Sequence, residues 1–425
     1  MFAPVKKSLQ LVSQLTKVAI VGAGLIGLTA TAATANDSSA KGASNSETNV
    51  VTPPYADWFR YNEELDKHWK FVADPIDPKR LKIYAGGGNS KSSLRIEPRF
   101  RVMVLYPRPS SAYDVAITKI LNVFSDRGIE AEFTIFNFNR DTERGKVGVQ
   151  LAKDSDIDLI FTMGSESTAW LWSEYKDGEI PVVSVTSKDP VMLGQIADYD
   201  VGSRSNFAFT SLNMPVAAQL AYVRELKPEL KNLAILVDSK NVSAMETQAR
   251  PIAEAAIARG VRVLNLEVQE PENAKAELAE MVSDAVAAMK KNDYNLENSV
   301  FWVTGSTSVF REMETINKHS DRVPVLSVVP EVVKEGSKSA TLSIGISFES
   351  NAHLAAIYGI KVLEKEANVG DLNVGVVSPP DIAINFLKAR EIGLKVPFRF
   401  VEGANYIFDY KGKAVRFRGK LLQGG

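Results

Sequence analysis

The chain has 425 residues, of which 45% are hydrophobic and 24% charged, with a formal net charge of −1 and no cysteine. This length allows two domains with their own cores plus extensions. The near-neutral charge gives no reason to expect nucleic-acid binding, and the lack of cysteine excludes disulfides, thiolate metal sites and a cysteine nucleophile.

Residues 1–35 have the pattern of a secretory signal peptide. Three lysines precede an uncharged run over residues 18–35, which ends in the small-x-small sequence Ala33-Thr34-Ala35. This order of basic, apolar and small residues is typical of a cleaved export signal, so we expect a periplasmic or extracytoplasmic protein. The run is also long enough to hold the chain in a membrane if it is retained, which leaves a membrane-anchored protein as the alternative.

A glycine motif lies inside this run. The sequence Gly22-Ala23-Gly24-Leu25-Ile26-Gly27 matches the G-x-G-x-x-G fingerprint of dinucleotide sites. That fingerprint needs a strand before it, and an amphipathic helix and a second strand with an acidic residue after it. A tract rich in Ser, Thr, Ala and Asn follows instead. The sequence therefore favours a signal peptide over a cytosolic nucleotide-dependent enzyme.

Residues 36–99 are interpreted as a linker and an N-terminal extension. Residues 36–53 are small and polar, as in flexible linkers. Residues 55–69 place aromatic side chains at helical spacing, which predicts a helix packed on the main body. The glycines at 86–88 lack the Lys-Ser/Thr and the helix that follow a phosphate-binding loop, so they predict a turn.

From residue 100, short apolar runs alternate with helical patterns. These runs form two successive sets: residues 102–106, 130–137, 159–161 and 181–185, then 233–237, 261–268, 300–303 and 325–329. Alternating strands and helices with short loops predict an α/β fold with parallel sheets. Because the second set repeats the first, we expect two similar doubly wound parallel-sheet lobes with a cleft and a hinge between them.

The repeat indicates two lobes, and the family resemblance given below implies which later residues return to the first lobe. Residues 100–210 with 349–400 are assigned to the first lobe, and residues 211–346 to the second. Residues 401–425 are assigned to a C-terminal tail, because apolar runs on both sides of Lys411-Gly412 predict a hairpin.

Three sequence patterns are similar to those of a known family. They are Ile180-Pro181-Val182-Val183 with Thr186-x-x-Asp189-Pro190-Val191, the stretch from Val300 to Ser308 with Pro324-Val325 after it, and Ile384-Asn385…Ala389…Ile392-Gly393-Leu394…Pro397. Over residues 100–401 the chain resembles ABC transporter solute-binding proteins of the tryptophan-binding-protein class, which have the type I periplasmic binding protein fold.

The resemblance implies a receptor that closes two lobes around a small solute and delivers it to an ABC permease in the membrane. It implies three passages of the chain between the lobes, near residues 207–213, 345–348 and 370–380. The expected protein is a monomer without cofactor or metal, and its solute is amino-acid-like or a small apolar carboxylate. A membrane-tethered ligand-sensing module of the same fold is the alternative function.

Ligands of open α/β sheets bind outside the carboxyl ends of the strands. The loops at these ends, mapped by position from the family, give the predicted ligand-binding residues: Tyr106, Arg108, Ser110, Tyr113, Gly164, Ser165, Ser167, Thr168, Thr186, Asp189, Pro190, Asp238, Ser239, Thr304, Ser306 and Glu331.

The side chains in these loops suggest separate roles. Arg108 can clamp a carboxylate, whereas Asp189 and Asp238 can pair with an ammonium group. Tyr113 can stack on an apolar ligand. Helix capping is the alternative role for the hydroxyls and for Asp189.

The sequence gives little support for catalysis. The three histidines lie in separate elements and fit no metal-binding spacing. Gly164-Ser165-Glu166 lacks the G-x-S-x-G form of a nucleophile elbow. We therefore expect a binding protein rather than an enzyme.

Overall fold

The computed structural model describes residues 53–86 and 98–422, most of which belong to two large sheets and the helices packed against them. The predicted signal peptide, the glycine motif and residues 36–52 of the predicted linker lie outside the described residues, as do Gly87 and Gly88. Strands and helices are numbered below in chain order.

The first sheet has seven strands. They are Trp69–Ala73 (β1), Arg80–Ala85 (β2), Phe100–Tyr106 (β3), Ala131–Asn137 (β4), Leu159–Met163 (β5), Val182–Val185 (β6) and Phe207–Ala208 (β7). Their spatial order is β1-β2-β4-β3-β5-β6-β7. All neighbours from β4 to β7 are parallel, and β1 and β2 extend the sheet in antiparallel fashion.

Two short strands, Thr210–Ser211 (β8) and Gly375–Val376 (β14), form a parallel pair. The second large sheet has nine strands. They are Asn232–Asp238 (β9), Arg262–Val268 (β10), Ser299–Val303 (β11), Val325–Ser327 (β12), Leu342–Gly345 (β13), Asp381–Asn385 (β15), Ala404–Phe408 (β16), Ala414–Phe417 (β17) and Lys420–Leu421 (β18).

The second sheet has the order β10-β9-β11-β12-β13-β15-β16-β17-β18. Its parallel part, β10 to β13, repeats the plan of β4 to β7 in the first sheet. Counted along the chain, both five-stranded units have the order 2-1-3-4-5 of doubly wound sheets. The prediction of two similar α/β lobes is therefore confirmed.

The α-helices of the described residues connect and cover these strands. They are Ser111–Asp126 (α1), Thr142–Asp154 (α2), Gly164–Tyr175 (α3), Val216–Leu226 (α4), Val242–Ala244 (α5), Arg250–Ile257 (α6), Ala274–Met289 (α7), Thr307–Phe310 (α8), Met313–His319 (α9), Phe348–Leu363 (α10), Phe386–Glu391 (α11) and Phe398–Gly403 (α12). A π-helical turn, Met245–Ala249, joins α5 to α6.

Strand β3 illustrates why the parallel strands are continuous apolar runs. Val102 and Val104 pack in the core cluster that contains α1 and α10, whereas Met103 and Leu105 pack in a second cluster that contains α3. Successive side chains of a strand point to opposite faces, so a sheet covered by helices on both faces needs apolar residues at every position.

The chain passes between the two large sheets three times. The passages run from β7 to α4, from β13 to α10 and from β14 to β15. Helix α10 packs on α1 and β6 of the first lobe, although the strand before it lies in the second sheet. These passages lie at the three places that the resemblance implies.

The helix predicted over residues 55–69 of the N-terminal extension is not formed. Residues 54–58 form a turn, residues 59–62 have no regular secondary structure, the 3₁₀ turn Glu63–Lys67 follows, and Trp69 begins a strand. The backbone N–H of Arg60 donates to Asp114 and that of Asn62 to Thr118, both on α1. These contacts replace intrahelical hydrogen bonds, and the extension forms the β1–β2 edge of the first sheet.

The boundary predicted near residue 400 also needs correction. The strand β15, assigned to the first lobe from sequence, pairs antiparallel with β13 and parallel with β16 in the second sheet. The C-terminal hairpin β16–β17 forms as predicted, but it continues this sheet instead of a separate tail. Within the described residues, no helix has the length and apolar character needed to cross a membrane.

Candidate functional site

A cleft of about 820 Å³ lies between the two lobes. Its walls are the loops that follow β3, β5 and β6 in the first lobe and β9, β11 and β12 in the second. The carboxyl ends of both parallel units therefore face one shared cavity, which is where doubly wound sheets bind ligands.

The loop after β3 brings three of its four predicted residues to the cleft, namely Arg108, Ser110 and Tyr113. Ser110 also caps α1, because its hydroxyl accepts from the N–H of Ala112. Tyr106 is fully buried in the first lobe, where its hydroxyl donates to the carbonyl of Tyr113. Tyr106 therefore belongs to the core of the first lobe and does not line the cleft.

The loop after β5 depends on a glycine. Gly164 has φ +78°, and a Cβ at this position would lie 2.2 Å from the hydroxyl oxygen of Tyr113. Glycine therefore permits both the backbone conformation and the approach of Tyr113. Burial raises the pKa of Tyr113 to about 12, so its hydroxyl stays protonated at the cleft wall.

The hydroxyls of this loop point in different directions. Ser165 lines the cleft and accepts from the backbone N–H of Lys188 at 2.9 Å. Ser167 is bonded to Thr162, and Thr168 donates to the carbonyl of Gly164 at 2.8 Å. Both of these side chains are fully buried, so the structure assigns them to the internal hydrogen bonding of β5 and α3.

The loop after β6 places Thr186 at the cleft in an unusual conformation. Thr186 has φ +51°, which is a genuine outlier for a β-branched residue. Its backbone N–H donates to Asn351, and its buried hydroxyl has no hydrogen-bond partner. Strained residues of this kind persist only where the surroundings hold them, and they cluster at ligand sites.

Asp189 has a different position from the one expected for a ligand carboxylate. One of its oxygens accepts from the N–H groups of Val191 at 2.9 Å and Met192 at 3.0 Å, and the other accepts from the hydroxyl of Tyr199. Both oxygens are committed to shaping the turn that begins at Pro190. The capping alternative therefore describes Asp189 better than ammonium binding.

In the second lobe, Asp238 lines the cleft, and the predicted residues Ser306 and Thr304 lie behind it. Asp238 accepts from the Ser308 hydroxyl at 2.7 Å and from the N–H of Lys240 at 2.9 Å. The Ser306 hydroxyl accepts from the N–H of Asp238 at 3.3 Å, and Thr304 donates to the carbonyl of Leu236.

Two further predicted residues lie away from the cleft lining. Ser239 donates to the carbonyl of Val268 at 3.0 Å. Glu331 is half-buried at the passage from β13 to α10, where it accepts from the N–H of Phe348 at 2.6 Å. Burial raises the pKa of Glu331 to about 8, and one of its oxygens has no partner.

Sequence reasoning missed several residues of the cleft wall. The polar ones include Lys188, Gln195, Gln248 and Arg311, and the apolar ones include Trp172, Leu193 and Phe310. Lys188 directly precedes the predicted Asp189-Pro190 pair, and Gln195 follows this pair by five residues. Their only sequence signal was that they are polar residues close to the buried run of β6. Trp172, expected in the core, packs edge-on against Phe207 and Phe209 and also reaches the cleft.

The charged side chains of the cleft wall are mostly basic. Five are cations and three are carboxylates: Arg108, Arg140, Lys188, Lys240 and Arg311 against Glu166, Asp238 and Glu272. Glu166 is shared by Arg140 at 2.7 Å and Arg108 at 3.4 Å. The buried Nε of Arg108 nevertheless lacks a hydrogen-bond partner.

The described residues contain no cluster of three His, Asp or Glu side chains that could hold a metal ion. The cleft thus offers cationic donors, hydroxyls and an apolar wall. Such a set can bind a small molecule that has an anionic group and an apolar body.

No protein-family model and no curated protein matches the chain. Solved structures with a similar fold do match. One is a conserved domain protein from Vibrio cholerae, with 16% identity and a TM-score of 0.57, covering 73% of this chain and 99% of the other. Another is an ABC domain from Streptococcus pneumoniae in complex with L-Trp, with 18% identity and a TM-score of 0.58, covering 72% of this chain and 99% of the other.

A third similar structure is a substrate-binding protein with adhesive properties from Clostridium difficile, solved ligand-free and open. It has 19% identity and a TM-score of 0.55, and the match covers 72% of this chain and 98% of the other. At these identities the similarity establishes the fold and leaves the ligand open. Together with the two 2-1-3-4-5 lobes and the three passages between them, it shows that the chain has the type I periplasmic binding protein fold.

Proposed function

We propose that the chain is an extracytoplasmic solute-binding protein of an ABC importer. In this proposal the cleft captures an amino-acid-like solute or a small apolar carboxylate, and the two lobes close around it by rotation at the three passages. A permease in the membrane then recognises the closed form.

One observation carries the proposal. Four buried polar atoms without a hydrogen-bond partner belong to residues of the cleft wall: Arg108 Nε, Thr186 Oγ1 and both polar atoms of the Gln195 side-chain amide. A buried polar group that stays unpaired costs about 1–3 kcal/mol. A ligand whose polar groups pair with these atoms would recover that free energy on binding.

The apolar residues of the cleft wall support a ligand that has an apolar body. Trp172 and Leu193 line the cleft from the first lobe, and Phe310 and Val329 line it from the second. An apolar body held between the lobes would be removed from water only when the lobes close. Burial of this kind favours closure with ligand over closure without it.

The similar L-Trp complex from Streptococcus pneumoniae supports an aromatic amino acid as a first ligand to test. Export rests on the N-terminal sequence pattern, and the permease partner rests on the family resemblance. If residues 18–35 are retained, the same cleft would serve a membrane-tethered sensing module.

The proposal is tested by measuring the melting temperature of the purified protein with a panel of amino acids and small carboxylates. A ligand at one hundred times its dissociation constant stabilises a protein by about 2.7 kcal/mol, which gives a clear shift. Native mass spectrometry of protein purified from its source would look for a co-purified solute. The absence of both a thermal shift and a bound solute would contradict the proposal.

A matched pair of variants connects any ligand to the cleft. Arg108→Gln removes the cleft guanidinium and should weaken binding about tenfold or more, since a hydrogen bond to a charged group contributes about 1.5–3 kcal/mol. Arg399→Gln changes an exposed arginine that pairs with Glu225 and should leave binding unchanged. Equal effects of the two variants would place the ligand elsewhere.

A further inference from the structure

Lys188 is a buried cation at the boundary of the two lobes. It follows β6 and is 8% exposed. Its backbone N–H donates to Ser165, which fixes the start of the side chain in the first lobe. Its Nζ reaches across to the carbonyl of Gly305 in the second lobe at 3.5 Å, a long contact.

This cation has no counterion in the described part of the chain. Its single hydrogen bond is the one to Gly305, although an ammonium group has three donors. Burial, together with the nearby Arg108 guanidinium, lowers the pKa of Lys188 to about 8. Two neighbouring cations at a cleft wall are unfavourable until an anion lies between them.

The three carboxylates of the cleft wall have partners or lie at the rim, and only Asp238 among them is buried. Glu166 is shared by Arg108 and Arg140, and Asp238 accepts from Ser308 and Lys240. Glu272 lines the cleft only at its exposed rim. An ammonium group beside Lys188 would therefore meet two cations, whereas Asp238, the buried carboxylate of the cleft wall, already accepts two hydrogen bonds.

We propose that Lys188 binds the anionic group of the ligand, and that the ligand is an apolar acid without an ammonium group rather than a zwitterionic amino acid. This inference rests on the proposed function and selects one of its two ligand classes. The anionic group lies between Lys188, the Nε of Arg108 and the Thr186 hydroxyl, and the apolar body lies against Trp172 and Phe310.

The contact with Gly305 gives the same cation a part in closure. The Gly305 N–H donates to the side chain of Gln248 at 2.7 Å, which holds the second-lobe loop in place. A Cβ on Gly305 would lie 3.2 Å from the Gln248 side-chain oxygen, which is tight, and 3.6 Å from the Lys188 side chain, which is an ordinary contact. An anion bound to Lys188 therefore lies next to backbone of both lobes.

The test uses ligand pairs that differ only in the ammonium group: L-tryptophan with indole-3-propionate, and L-phenylalanine with 3-phenylpropionate. Dissociation constants are measured by isothermal titration calorimetry at pH 7. The inference expects each desamino acid to bind at least tenfold more tightly than its amino acid. Tighter binding of either amino acid than of its desamino acid would overturn the inference and leave the proposed function intact.

Variants at Lys188 provide a second test of the inference. Lys188→Met removes the charge and should weaken binding of the acid about thirtyfold or more, while the neutral 3-phenylpropionamide binds both proteins equally. Lys290→Met, at an exposed lysine paired with Asp321, is the control. Lys188→Gln, which removes the charge and keeps an N–H donor, serves if the methionine variant does not fold. Unchanged affinity of the acid for the folded variant would overturn the inference.

The outcomes separate the two proposals. If none of the four probes binds, the co-purified solute decides: an acid without an ammonium group supports the inference, and a zwitterion contradicts it. A chain that binds no probe and carries no solute contradicts the proposed function as well.

Discussion

Asn351 on α10 holds Thr186 in its strained conformation at the cleft. The Asn351 side-chain oxygen accepts from the backbone N–H of Thr186 at 2.7 Å and from the Thr210 hydroxyl at 3.2 Å. All three residues are buried. One amide oxygen thus connects α10, the loop after β6 and the strand β8 at the first passage between the lobes.

Replacement of Asn351 by alanine should destabilise the protein. The Thr186 N–H would lose its acceptor, whereas the Thr210 hydroxyl would keep the carbonyl of Ser184 at 2.7 Å. A buried N–H left unpaired costs about 1–3 kcal/mol. The free energy of unfolding is measured by urea denaturation. Asn273→Ala, at an exposed asparagine, is the control and should change it by less than about 0.5 kcal/mol. A similar value for both variants would contradict the role of Asn351.

Thr186→Val should separate stability from binding. The variant keeps the shape of the side chain and removes a buried hydroxyl that has no partner in the unliganded protein. We expect a free energy of unfolding that is unchanged or higher, and a ligand affinity about tenfold lower, since a typical hydrogen bond contributes about 0.5–1.5 kcal/mol. Loss of stability without loss of affinity would assign Thr186 to the fold alone.

Asp189→Ala tests the two interpretations of this residue. In the structure its carboxylate accepts two backbone N–H groups and the Tyr199 hydroxyl, so its loss should lower the free energy of unfolding by about 1–3 kcal/mol. The ratio of affinities for an amino acid and its desamino analogue should not change. A selective loss of amino-acid binding, measured by calorimetry, would restore Asp189 as an ammonium ligand.

Glu331 should make stability depend on pH. Burial raises its pKa to about 8. A carboxyl with a raised pKa in the folded state contributes stability that is complete below its unfolded pKa of about 4.3 and is lost as pH rises through about 8. The difference in unfolding free energy between wild type and Glu331→Gln should therefore fall over this range, by at most about 1.4 kcal/mol per pH unit.

The measurement is urea denaturation of both proteins at pH 5, 6, 7 and 8. Glu314→Gln, which changes an exposed acid paired with Lys338, is the control and should show no comparable trend. A difference between wild type and Glu331→Gln that stays constant with pH would indicate that the carboxyl is already ionised at pH 5.

The sequence was sufficient to predict the central fold. Residues 102–106, 159–161 and 233–237 are continuous apolar runs within β3, β5 and β9. Glycines such as Gly128 and Gly260, both with positive φ, follow the helical patterns. These signals are local, so they give the elements and their order. The repeat of the same order in the second half then predicted two lobes.

The sequence did not predict the edges of the sheets. Residues 55–69 have aromatic side chains at helical spacing, but Trp58 and Phe59 pack against Tyr106 of a neighbouring strand. In β2, the alternation of buried Leu81 and Ile83 with half-exposed residues is too short to stand out. Likewise, no local sequence signal indicates that β15 pairs antiparallel with its neighbour β13.

The candidate site was predicted at the level of loops and not of side chains. A strand end marks the cleft edge, but the side chain that enters the cleft depends on turn geometry. At the loop after β6, Asp189 turns inward to cap the chain, and Lys188 beside it faces the second lobe. Hydroxyl and carboxylate residues suit capping and ligand binding equally, so composition alone could not distinguish them.

The last strands of the chain also touch the first lobe. Arg418, in the turn between β17 and β18, pairs at 2.7 Å with Glu349 at the start of α10, and Glu349 pairs at 3.1 Å with Lys119 of α1. This bridge is a non-covalent link between the lobes in addition to the three covalent passages. Because the Arg418 side chain is 58% exposed, dissolved ions weaken its part of the link. The contribution of the C-terminal segment to the contact between the lobes should therefore decrease as the ionic strength rises.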